Sequence, residues 1–285
     1  MKKLIVFSIL CIFIMGTATA CMYEQGNYGV LGANNILYNE NEEWGTLYPF
    51  IENGLWGFRD NYGEVIVEPQ YLYVRSFSEG LAFVRGVEGK EYQTGFVDLT
   101  GQLIIPLPTI FYATNFSEGF AIIREWDGNQ DIPEEPEMSV EIGSIGHVIF
   151  IDRMGNDVFG QKFHSALPFS DGLALVRGFD DSEYQAGFIN TTGELVISLP
   201  NVIQGGSFFE GFAHLIVREW DWANNETPMS VSLPGPFIFI DKTGQNAFDM
   251  EFGSADRFRD GFARVSFGIG MQYIDRYGNI TDMRP

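Results

Sequence analysis

The chain has 285 residues, a formal charge of −21, 45% apolar and 15% aromatic side chains, and 26 Phe. So much apolar material excludes disorder for want of a core. The acidic excess argues against nucleic acid, where Lys and Arg must neutralise phosphates, and against spontaneous adsorption to anionic lipid. It suits solubility, cations or a basic partner.

Residues 1–20 have the form of a signal peptide: Lys2 and Lys3, an apolar run from Leu4 to Met15, and small residues at Ala18-Thr19-Ala20. The run is shorter than the ~20 residues a membrane span needs. Cleavage there removes Cys11 and leaves Cys21 as the sole cysteine, at the position where bacterial lipoproteins carry their lipid. Ala18 stands where the lipobox pattern usually has Leu, so plain secretion is the alternative to a lipid anchor. Residues 21–43 are polar, without hydrophobic period, and are expected to form a flexible tether.

From Trp44 to the end the pattern is that of β-strands, organised by two recurring elements. The first is a turn, Asp60 to Gly63, which returns at Asp98 to Gly101, Asp152 to Gly155, Asn190 to Gly193, Asp241 to Gly244 and Asp275 to Gly278. Asp bonding the turn backbone and Gly accepting positive φ predict a hairpin with a type I turn. The second is Phe77-Ser78-Glu79-Gly80 followed by a strand, with copies at Phe116, Phe169, Phe208 and Phe258. Each of these strands has Ala at its second position (Ala82, Ala121, Ala174, Ala213, Ala263) and an aliphatic two residues on, so alternation predicts one tightly packed face. Turn and bend glycines are 17 or 18 residues apart in all five copies. Gly63 to Gly155 and Gly101 to Gly193 are each 92 residues, so a pair of copies is the larger period.

Gly54-Leu55-Trp56-Gly57-Phe58, the Asp-x-x-Gly turn, Val65-Ile66-Val67-Glu68-Pro69 and Phe77-Ser78-Glu79-Gly80-Leu81-Ala82 together resemble the bacterial WG-repeat family over about residues 44–285. Only the first copy has Trp-Gly literally; Gly95-Phe96 and Gly187-Phe188 keep the glycine. The resemblance implies an exported β-rich repeat scaffold and brings no catalytic residues with it. The expected fold is therefore all-β: five full WG-type hairpin repeats and a half, stacked in an elongated array, with a closed propeller-like ring as the alternative.

Motifs for chemistry are sparse. No nucleophile elbow or phosphate loop occurs. His147, His164 and His214 fall at different repeat positions, and Asp127 to Asp131 begins like a calcium loop but has Ile132 and Met138 where Gly and Glu are required. No metal and no cofactor is expected. Glu79, Glu118, Asp171, Glu210 and Asp260 each precede a bend glycine, and an acid kept in every copy points to structure, such as bonding turn backbone. The insertions at 86–94, 126–146, 178–186 and 220–236 carry the candidate ligand-binding residues Tyr92, Trp126, Tyr184, Trp220 and Trp222. These could instead cap sheet edges. The expected function is non-catalytic binding of a protein or glycan at the cell envelope, membrane contact being only through Cys21; the alternative is a glycan hydrolase using paired carboxylates.

Overall fold

Each Asp turn closes through its own side chain. In the computed structural model, which describes residues 47–87, 89–125, 147–179, 182–199, 202–217, 236–267 and 270–282, Asp60 Oδ1 accepts the N–H groups of Tyr62 and Glu64, both at 2.8 Å. The same pair of bonds recurs at Asp98, Asp152, Asn190, Asp241 and Asp275. The glycine that ends each turn sits at φ between 82° and 87°, a conformation costly for any residue with a Cβ. Hydrogen bonds from Thr243 and Asn279 side chains, joined by those turn N–H groups, hold the Asp241 and Asp275 carboxyls below the usual carboxylate range.

The strands form five antiparallel meanders. The first sheet contains β1 (Tyr48–Glu52), β2 (Leu55–Arg59), β3 (Val65–Val74), β4 (Leu81–Gly86), β5 (Gly95–Asp98) and β6 (Leu103–Pro106). The second has β7 (Ile110–Ala113), β8 (Ala121–Glu125) and β9 (Val148–Ile151). The third has β10 (Ser165–Ala166), β11 (Leu173–Phe179), β12 (Ser182–Asn190) and β13 (Leu195–Ser198). The fourth has β14 (Val202–Gly205), β15 (Ala213–Val217) and β16 (Phe237–Ile240), and the fifth β17 (Ser254–Ala255), β18 (Phe262–Phe267), β19 (Gly270–Asp275) and β20 (Ile280–Thr281). The only helical element among the described residues is a short 3-10 turn at Glu91–Gln93. Tandem hairpins are thus what the chain forms, and none of the sheets closes into a barrel. The copy read from the sequence is offset from the sheet, however: from the second copy on, the hairpin of one copy pairs with the strand after the preceding bend, as β5 does with β4, so each copy after the first straddles two sheets.

That offset explains the aromatic content. In every copy the Phe two residues before the Asp turn meets the Phe of the bend: Phe58 with Phe77, Phe96 with Phe116, Phe150 with Phe169, Phe188 with Phe208, and Phe239 with Phe258, at 4.7 to 5.2 Å between ring centroids. Edge contacts of this kind add ~0.5–1.5 kcal/mol each beyond burial. The alanines pack into the same clusters as these pairs and are all 0–1% exposed, which is why only a methyl fits there.

The bends are two-residue turns with positive φ at both central residues: Glu79, Glu118, Asp171, Glu210 and Asp260 lie at 52° to 55°, each followed by a left-handed glycine. The carboxylates of the first four bond not their own turn but the next one. Glu79 accepts the Gly119 N–H at 3.1 Å, Glu118 that of Gly172 at 2.9 Å, Asp171 that of Gly211 at 2.7 Å and Glu210 that of Gly261 at 2.8 Å. Alongside, Ser78, Ser117 and Ser170 donate to the carbonyls of Phe116, Phe169 and Phe208 at 2.6 to 2.7 Å. Replacing Asp171 with Ala should cost about 1–3 kcal/mol by orphaning the Gly211 N–H, whereas Asn keeps an acceptor and tolerates the left-handed backbone. Chemical denaturation of the two variants checks this, and equal losses would show that the bond does not join the repeats.

Candidate ligand-binding surfaces

Strand direction sorts the chain's connections into two sets. In each sheet the strand leaving a bend is followed by the strand entering an Asp turn, so bends and Asp turns share one end. The connections 87–94, 126–147, 180–181, 218–236 and 268–269 leave and re-enter at the opposite end. Tyr92 is at that end, 64% exposed on the 3-10 turn. Its base is firm, because buried Thr94 Oγ1 accepts the Gly86 N–H at 3.0 Å and the Gln93 N–H donates to the Lys90 carbonyl at 2.9 Å. Tyr184 belongs to β12, which starts at Ser182, so the expected loop at 178–186 is mostly strand. Trp126, Trp220, Trp222, Cys21 and the 127–138 segment lie outside the described residues. His147, His164 and His214 belong to three different sheet regions, and among the described residues no three His, Cys, Asp or Glu side chains converge.

A cleft the sequence reading did not find opens at the other end, along the strand edges that lead into the fourth and fifth bends. Its volume is about 560 Å³, and its lining includes Phe209, Asp256, Arg257, Arg259, Arg264, Tyr273 and the half-buried His214. Local sequence makes the space. Gly206 takes a place where a Cβ would come within 2.5 Å of the His214 ring. In the fourth and fifth bends Phe209 and Arg259 replace the serine of the first three. The Arg257 guanidinium lies over the Phe209 ring, 4.5 Å from its centroid, and Arg264 pairs with Asp256 at 2.9 Å. Both partners of that ion pair are more than half exposed, so it orients the side chains more than it stabilises the fold. Three arginines against one aspartate, with His214 neutral, give the lining a charge of +2 in a chain of −21. The exchanges in these two bends were the available sequence signal.

His214 occupies the strand position held by buried Phe83, Ile122 and Leu175 in the first three copies. Burial lowers its pKa from 6.5, opposed by the nearby Asp256 carboxylate, and its Nδ1 has no hydrogen-bond partner among the described residues. A folded-state pKa below the unfolded value means stability that is complete above pH 6.5 and lost as the pH falls from there through the folded pKa. Asp241 and Asp275, lowered from 3.8, act in a separate window, their contribution present above that value and lost as the pH falls further. Denaturant midpoints measured from neutral pH towards pH ~5 should therefore decline in the parent and flatten in His214→Gln; the same slope in both would remove this role.

Comparison with known proteins bears on the scaffold. The WG containing repeat model matches residues 56–90, 95–128 and 239–268. No curated protein matches the sequence. Among solved structures, BamB from Moraxella catarrhalis shows 12% identity and a TM-score of 0.40, covering 86% of this chain and 74% of its own. The extracellular domain of a one component system from B. thetaiotaomicron shows 10% identity and a TM-score of 0.31, covering 84% and 36%. At those scores neither likeness bears on function. In those three segments the chain carries the WG containing repeat, and its third and fourth copies share the same turn and bend.

Proposed function

We propose that the protein is a non-catalytic repeat scaffold, exported to the cell envelope, where it binds a protein or glycan through the connections opposite its bends. The observation that carries this reading is the common direction of the strands: five sheets tied by their bends send all their variable connections to one end. Tyr92 offers an exposed ring there on a hydrogen-bonded base, and the connections holding Trp126 and Trp220 depart from the same end. The cleft favours binding over hydrolysis, since its lining has one carboxylate, already paired with Arg264, where glycan hydrolysis requires two.

Sedimentation of the mature protein with isolated envelopes of the source cell tests the reading. Replacing Trp126 and Trp220 together with Ala should reduce co-sedimentation while leaving the melting transition nearly unchanged. A double variant that unfolds readily would place those rings in the core, and one that binds as well as the parent would remove the loop face.

Export rests on residues 1–21. Mass spectrometry of the mature N-terminus should find Cys21 first and carrying lipid; an unmodified Cys21 in secreted material would replace the anchor with simple secretion.

A further inference from the structure

We infer that the cleft at the fourth and fifth bends binds an acidic sugar, an oligosaccharide carrying uronate carboxylates. This site is separate from the connections at the opposite end and stands or falls independently of them.

Charge comes first. A chain this acidic repels anions over most of its surface, yet Arg257, Arg259 and Arg264 converge on one cavity. Scaffold needs do not account for that. At the position of Arg257 the other copies have Ser76, Asn115, Pro168 and Ser207, and at that of Arg259 they have Ser78, Ser117, Ser170 and Phe209. In the first three copies the bend serine clamps the next bend through its carbonyl, so Phe209 forgoes a structural hydrogen bond to supply an aromatic face.

Geometry then selects the ligand. The Arg257 guanidinium is held over the Phe209 ring, 4.5 Å from its centroid, and its planar fork of N–H donors matches a carboxylate bidentately. Arg264 is held in place by Asp256, whose second oxygen can accept from a sugar hydroxyl. Phe209, Phe262 and Tyr273 add apolar faces and a phenol, all half-buried, suited to the C–H face of a pyranose ring. About 560 Å³ lies within the usual range of small-ligand pockets and far exceeds what a lone oxyanion fills. A ring bearing carboxylates satisfies charge, stacking and size together.

Calorimetric titration of the mature protein with a galacturonate tetramer, its fully methyl-esterified form, and inorganic phosphate tests the assignment. The free acid should bind, the ester should bind at least about tenfold more weakly, and Arg257→Gln with Arg259→Gln should reproduce that loss on the parent's melting curve. Should the double variant unfold, Arg264→Gln serves in its place with the same expected loss. Added salt should weaken the complex. Equal binding of acid and ester, undiminished binding by the folded variants, or no heat with the tetramer would overturn the proposal. Phosphate binding as tightly as the tetramer would overturn it too, marking a general oxyanion site.

Discussion

The scaffold depends on a carboxylate that reaches out of one bend to the glycine N–H of the next. Its residue takes a left-handed backbone, at a cost of roughly 1–2 kcal/mol for a side chain with a Cβ, in all five copies, four of which make the bond. Such strain persists only where the surroundings over-determine it. Here they do, through the carboxylate bond, the serine bond beside it in three copies, and a cation from two turns further on. Arg153 donates to the Glu79 carbonyl at 2.7 Å, Lys242 to that of Asp171 at 2.7 Å, and Arg276 approaches Glu210 at 3.4 Å. Each of these three junctions therefore joins three successive copies.

Packing follows from that linkage. Because consecutive bends are tied, the Phe of each bend is brought against the Phe of its own hairpin, which from the second copy on already belongs to the previous sheet. The aromatic pair fills the space between sheets, and the following strand can then offer only alanine. The turn glycines meet the same close approach from the other side: a Cβ on Gly101 would lie 2.5 Å from Val67 and one on Gly155 2.6 Å from Ile105, while Gly63, at the start, faces open space. The glycine is required twice over in the later copies, by backbone and by neighbour.

What was legible in the sequence was local. Asp60 bonds residues two and four ahead, so its turn could be deduced from four letters, and the Ala82 and Val84 face from simple alternation. The bend acids were legible as structural, but not their partners, because Glu79 bonds a group 40 residues away and no periodicity reveals which backbone donor is orphaned. The offset between copy and sheet was hidden for the same reason. Tyr184 was misplaced because a two-residue connection at 180–181 and a β-bulge lengthen β11 and β12 through what looked like an insertion. The cleft was missed because charge was weighed over the whole chain, where a local excess of three arginines vanishes.

The cleft's position has a physical cause. In the fourth and fifth bends Phe209 and Arg259 stand where Ser78, Ser117 and Ser170 clamp the next bend, so the serine clamp is given up there. The strands that follow differ as well: His214 is half-buried and Arg264 exposed at the position where Phe83, Ile122 and Leu175 are buried. In the first three copies the same residue type serves the same contact. Where the clamp is given up, positions that were structural become available, and charge can gather there. A specific site is therefore to be expected where copies depart from the shared contact, and the connections at the opposite end are the other place where sequence is free to vary.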